Sequence, residues 1–257
     1  MEKVILITGG SRGIGAATAR LAASQAYAVA VNYTANSLAA DEVVRSIRAA
    51  GGTAITVQGD VANESDVVAM FKKVDAKLGR LTALVNNAGV VDVTSRVDAM
   101  SLERLQRMFA INVFGSFMCA REAVKRMSTL YGDRSGNGNG NGNGGSIVNV
   151  SSAAARLGAP GQYVDYAAAK AAIDAFTLGL AKEVAGEGIR VNAVRPGLIE
   201  TDIHASGGLP NRVRDLTPSV PMQRAGTAQE VAEAIVWLLG ETSSYTTGSL
   251  LDVTGGR

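Results

Sequence analysis

Thr8-Gly9-Gly10-Ser11-Arg12-Gly13-Ile14-Gly15 follows Val4-Ile5-Leu6-Ile7 and precedes Ala16-Ala17-Thr18-Ala19-Arg20-Leu21-Ala22-Ala23. The first flank is short, apolar and rich in β-branched residues, the pattern of a buried parallel strand. The second is composed mostly of good helix formers. The glycines therefore lie in a strand-to-helix turn. Such a turn lets the backbone approach a phosphate, and the new helix presents its unpaired N–H groups and positive dipole end. The spacing is T-G-x-x-x-G-x-G and not G-x-G-x-x-G, because Thr18 stands where the last glycine of the second pattern would fall. Taken alone, the turn fits an ordinary glycine-rich loop as well, so the rest of the chain decides.

The chain has 257 residues, 47% hydrophobic and 19% charged, enough for one large α/β domain. A net charge of +2 is too small to point to nucleic acid. One cysteine, Cys119, allows no internal disulfide, and its apolar helical surroundings read as core and not as a nucleophile. The single histidine, His204, removes most zinc and Ser-His-Asp chemistries, so no metal is expected. The N-terminus enters a strand with too short an apolar run for a signal peptide. No run approaches the roughly 18 apolar residues of a membrane span. The cytoplasm is the expected location.

Strand-like and helix-like stretches alternate throughout, as in a parallel sheet covered on both faces. Strands are expected at 4–7, 27–33, 54–58, 81–85, 147–150, 189–194 and 249–253. Helices are expected at 37–50, 63–78, 101–127, 163–185 and 227–239. Asn63 and Ser101 are plausible N-caps, and Gly51-Gly52 a C-terminal stop. The apolar residues of 101–127 cover more than one stripe, so that helix should be buried on two sides. Residues 135–145 alternate Gly and Asn, have little to bury and should form a mobile surface loop within one domain spanning 1–257. Residues 200–221, with three prolines and no firm periodicity, read as the loop that contacts substrate.

Polar signals recur at the C-terminal ends of successive strands: the glycine turn, Asp60, Asn86-Asn87-Ala88-Gly89, Ser151-Ser152 and Pro196-Gly197. Ligands bind at that edge of an open parallel sheet. Tyr166-Ala-Ala-Ala-Lys170 adds a phenol and an ammonium on one helix face. Each signal alone has a bland explanation; together and in this order they are specific. With Thr8, Asn112 and Ser152 they resemble the short-chain dehydrogenase/reductase family, in its classical branch, over residues 4–256. The resemblance implies a Rossmann-type doubly wound sheet of seven parallel strands, ordered 3-2-1-4-5-6-7. It also implies NAD(H) or NADP(H), reversible alcohol–carbonyl oxidoreduction and a homotetramer built on the two long helices. One departure stands out: Ser152 lies fourteen residues before Tyr166, where many relatives have thirteen.

The expected chemistry follows. A carbonyl that accepts hydride needs a proton at once, and Tyr166 is the acid in reduction and the base in oxidation. Lys170 is the cation expected to lower the phenol's pKa and to hold the nicotinamide ribose. Ser152 bonds the substrate oxygen. Asn112, by resemblance, anchors a water that links Lys170 to solvent; otherwise it is a helix residue bonded to backbone. The expected cofactor contacts are Gly9, Ser11, Arg12, Gly13, Ile14 and Gly15 in the turn, and Asn32-Tyr33-Thr34 at the end of the second strand. Asp60 and Val61 should line the adenine. Asn87, Ala88, Gly89, Pro196 and Gly197 complete the edge, with Ile199 and Thr201 at the nicotinamide amide. The second strand ends without the carboxylate that an NAD site wants, and Arg12 can meet a 2′-phosphate. NADP(H) is therefore preferred and NAD(H) is the alternative. The substrate is expected to be a small carbonyl or alcohol. A 3-oxoacyl-[acyl-carrier-protein] reductase or a glucose or polyol dehydrogenase is the runner-up, and a non-catalytic NADP-binding regulator the outside reading.

Overall fold

A computed structural model describes residues 3–130, 144–201, 207–209 and 211–257. The insert 135–145 lies outside the described residues except for Gly144 and Gly145, and so does His204 with the rest of 202–206.

Seven strands, β1 (Lys3–Ile7), β2 (Tyr27–Tyr33), β3 (Ala54–Gln58), β4 (Ala83–Asn86), β5 (Gly145–Val150), β6 (Ile189–Pro196) and β7 (Leu250–Val253), form one sheet. Its order is β3-β2-β1-β4-β5-β6-β7 and every pairing is parallel. The reversal between β1 and β4 opens the crevice in which such sheets bind ligands. Both faces are covered, so the central strands are apolar along their whole length. Ile5 and Ile7 pack with helices α1 (Gly13–Ser24), α2 (Ser37–Ala49) and α9 (Ala228–Leu239). Val4 and Leu6, on the opposite face, pack with α3 (Glu64–Leu78), α5 (Gly115–Met127) and α7 (Val164–Val184). Cys119 sits in that second core, where burial pushes its thiol up to about 12.

Local chemistry sets the helix ends. The side chains of Asn63 and Ser101 accept from Asp66 N and Arg104 N, and Thr227 and Glu230 form a reciprocal capping box on α9. The long helix expected over 101–127 is divided into α4 (Leu102–Phe109), a π turn (Ala110–Phe114) and α5. Within it, Asn112 Nδ2 donates to Met108 O, competing with the helix's own backbone for that carbonyl. Gly115 then meets Val61, and a Cβ there would come within 2.8 Å of it. The helix is two-sided as expected, but unevenly. Cys119, Ala123 and Met127 face the sheet, whereas Phe117 stacks on Phe176 of α7 at 3.8 Å and stays 46% exposed.

Candidate active site

The glycine turn is built for close approach. Gly9 and Gly13 have φ of 60° and 52°, in the left-handed region that side chains avoid. A Cβ on Gly15 would run into the Gly9 carbonyl and the Asn87 amide. Asn87 Nδ2 donates to the carbonyls of Thr8 and Gly9, each at 2.9 Å, and Thr8 Oγ1 accepts from the backbone N–H groups of Asn87 and Ala88. Asn87 thus ties the end of β4 to the turn. Arg12 is the extended N-cap of α1 and offers no side-chain cap, so the first-turn N–H groups stay available to an anion. Its guanidinium is exposed and has no partner among the described residues. Thr201 closes over the turn, 3.4 Å from where a Gly13 Cβ would be. A left-handed glycine cradle with an uncapped helix start and a free arginine fits a dinucleotide pyrophosphate and a further phosphate.

Asn32 takes a different place from the one expected. It is buried, with its Oδ1 accepting from Gly9 N at 3.0 Å and its Nδ2 donating to the carbonyls of Val57 and Gly59. The amide is spent on holding β3 and the turn in register and does not face a ribose. Tyr33 is half-buried and Thr34 exposed, which leaves these two at the open edge. Val61 is buried against Gly115, and half-buried Asp60 accepts the N–H of Ala62 on Oδ1, which leaves Oδ2 open at the end of β3.

Across the crevice lies a cavity of about 480 Å³ that Ile14, Gly89, Ser152, Tyr166, Lys170 and Ile199 help to line. Pro196 and Gly197 end β6 at its floor; the Pro196 carbonyl accepts from Ala153 N, and Gly197 lets the Thr254 backbone come close. The long interval between Ser152 and Tyr166 is taken up by the short helix α6 (Ala154–Leu157) and by left-handed Gly158, Ala159 and Gly161. This hairpin-like detour leaves Ser152 close enough to the Tyr166 phenol to oppose its upward shift, while Ser152 Oγ accepts from Ala154 N at 3.1 Å. Lys170 is buried one turn further along α7, 5.7 Å from the Tyr166 ring, and donates to the Val150 carbonyl at 2.8 Å. Asn112 reaches the same corner, because Gly89 has no side chain to separate it from Lys170. Its amide, however, is locked: Nδ2 donates to the Val90 and Met108 carbonyls and Oδ1 accepts from Val90 N. These bonds fix the side chain against the Val90 segment and leave one lone pair of Oδ1 over.

Burial dominates the electrostatics of both Tyr166 and Lys170. Burial pushes the Tyr166 phenol up to about 12, with Ser152 opposing, because the ring lies deep although part of its surface faces the cavity. Burial pushes Lys170 down to about 8, and the Asp174 carboxylate one turn on opposes that shift. In the bare site each charged form is disfavoured, so a phenolate needs support from a positive charge bound beside it.

Several residues of the site take structural roles that their place in the sequence did not announce. Asn32 is a lone polar residue in an apolar strand, a pattern that marks a buried side chain with partners. Asn86 donates to Asn149, which donates to Thr177, joining β4, β5 and α7 beneath Lys170. Tyr163 meets Tyr166 edge-on with ring centres 6.4 Å apart, and Arg212 and Arg257 line the same cavity.

A family profile described as enoyl-(acyl carrier protein) reductase matches residues 9–257. An Escherichia coli (strain K12) protein named uncharacterized oxidoreductase YgfF is 54% identical over 254 residues, 99% of each chain. A 3-oxoacyl-[acyl-carrier-protein] reductase of Synechocystis sp. is 39% identical, over 99% of this chain and 96% of that protein. The solved structure of a doubly substituted short-chain dehydrogenase/reductase from Serratia marcescens superimposes with a TM-score of 0.88 at 30% identity. The match covers 99% of this chain and 97% of that one.

Proposed function

The chain belongs to the short-chain dehydrogenase/reductase family, and on that premise we propose that it transfers a hydride between NADP(H) and a small carbonyl or alcohol, with Tyr166 as acid and base. It is an oxidoreductase acting on CH–OH and C=O groups. The observation that carries the finer reading is that Ser152, Tyr166 and Lys170 converge on one cavity that opens onto the glycine cradle.

The cofactor supplies the hydride and, when oxidised, a positive charge. The chain supplies the rest. Gly9, Gly13 and the first turn of α1 would hold the pyrophosphate, Arg12 the 2′-phosphate, and Lys170 the nicotinamide ribose. Ser152 and Tyr166 both donate to the substrate oxygen, fixing it and stabilising charge that develops there. Tyr166 gives up its proton to that oxygen in reduction and takes one back in oxidation. Asn112 positions the Val90 segment against the site. The exposed Phe114 and half-exposed Phe117 and Leu178 support association through α5 and α7, as a homotetramer.

Tyr166→Phe tests this reading. The ring and its packing remain while the proton donor is lost, so turnover should fall about 100- to 10,000-fold with NADPH binding retained. Comparable turnover in the variant would remove Tyr166 from the mechanism.

A further inference from the structure

We propose that the substrate carries a carboxylate, gripped by Arg212 and Arg257, while its carbonyl faces Tyr166. This rests on the oxidoreductase reading and adds to it the class of substrate.

The cavity wall opposite the glycine turn is largely apolar, with Leu157, Pro160 and Leu198 among its residues. Two arginines, Arg212 and Arg257, interrupt it. Arg212, at the start of the short helix α8 (Arg212–Leu216), donates from Nη1 to Gln162 Oε1 at 2.7 Å, and its guanidinium lies 5.0 Å over the Tyr163 ring. These two contacts hold the planar group in place and leave most of its five N–H donors uncommitted. Tyr163 in turn meets the Tyr166 ring, so two ring contacts, of 5.0 and 6.4 Å, separate the cation from the catalytic phenol.

Arg257 lines the same cavity. Its main-chain oxygen accepts from Arg156 Nη2 at 3.3 Å, which fixes the segment that carries it. The two cations feel one another. The Arg212 guanidinium is held below its usual range, first by burial and further by the charge of Arg257, with Tyr163 opposing.

The neighbouring arginines behave otherwise. Arg156 pairs with Asp252, Arg195 with Asp174 and Asp252, Arg224 with Glu230, and Arg104 with Asp165. Among the described residues, Arg212 and Arg257 have no side-chain carboxylate partner. A purely structural role accounts for the Gln162 and Tyr163 contacts of Arg212, but not for a second cation on the same wall. Two like charges held together in a partly desolvated wall are relieved by an anion, and a bidentate carboxylate matches the planar fork. A thioester on a carrier protein offers no carboxylate at this depth, so the arrangement favours a free oxo acid.

The test compares 4-oxopentanoate, its methyl ester and the N-acetylcysteamine thioester of a 3-oxo acid, by NADPH oxidation and by thermal shift with NADPH present. The free acid should be preferred over the ester by about tenfold or more in kcat/KM. Arg212→Gln and Arg257→Gln should each raise KM for the acid, together by about 10- to 100-fold, and leave the ester unchanged. The acid should stabilise the wild-type protein and lose that effect in the double variant, a readout that needs no turnover. Equal use of acid and ester, an equal thermal shift in the double variant, or preference for the thioester would overturn the proposal. In those cases carbonyl turnover that depends on Tyr166 would leave the oxidoreductase reading standing. Binding of the acid without reduction of any of the three compounds would instead support the anion site and count against the oxidoreductase reading.

Discussion

Asn32→Asp separates the two roles open to the end of β2. A carboxylate there is what an NAD-type ribose contact would want if residue 32 faced the cofactor. The structure turns the side chain inward instead. Its Nδ2 donates to Val57 O at 3.2 Å and Gly59 O at 3.0 Å, while Oδ1 accepts from Gly9 N. An ionised aspartate keeps the bond from Gly9 and leaves the Gly59 carbonyl without its side-chain donor, whereas Val57 O keeps its sheet-ladder bond from Tyr33 N. The expected loss is about 1–3 kcal/mol. Protonation of the new carboxyl recovers that bond only by holding the acid neutral. In a chain of this size the thermal midpoint should fall by roughly 2–12 °C. The assay is denaturant unfolding of both proteins, with NADPH and NADH titrations beside it. Expected are a destabilised protein, weaker binding of both cofactors because the glycine turn loosens, and no switch toward NADH. The control is Thr34→Asp, on an exposed residue, which should leave stability unchanged and improve NADH relative to NADPH. Unchanged stability in Asn32→Asp together with tighter NADH would refute the assignment of Asn32 to the scaffold.

Arg12→Ala should weaken NADPH far more than NADH in fluorescence titrations at matched salt, because nothing else described engages that guanidinium; an equal loss for both would end its phosphate role. The pH profile of carbonyl reduction has a defined sign. Tyr166, held near about 12, stays a proton donor through the mildly alkaline range, whereas Lys170, pushed down to about 8, loses its charge there. The kcat/KM for reduction should therefore decline as pH rises through about 8, and Asp174→Asn, which removes the carboxylate that raises Lys170, should move that decline to lower pH. A decline that does not move would detach it from Lys170. The same lysine affects stability: above about 8 and up to its unfolded value the unfolded chain binds a proton the folded chain does not, so its contribution to stability rises with pH across that window.

The alternation of apolar strands with helices, punctuated by Gly, Asn and Pro at strand ends, was enough to specify a parallel sheet and the edge at which its polar motifs gather. Periodicity and turn chemistry act over a few residues, so they are written locally. The order of motifs identified Ser152, Tyr166 and Lys170 for the same reason: each sits at a strand end or on one helix face. What the chain alone did not determine depends on where side chains point once distant segments meet. Asn32 looked like a cofactor contact because it ends β2, yet the sheet turns it under Gly9. The expected lowering of the Tyr166 pKa by Lys170 followed from charge alone, whereas the upward push on the phenol comes from burial, a property of the packed whole. The π turn at Asn112 arises because one amide bonds both to its own helix and to the Val90 segment. Arg212 and Arg257, separated by 44 residues of chain, line one cavity only because the segments that carry them meet in the fold. Local sequence sets hydrophobic period and backbone freedom; direction, desolvation and long-range charge pairing are set by tertiary contacts.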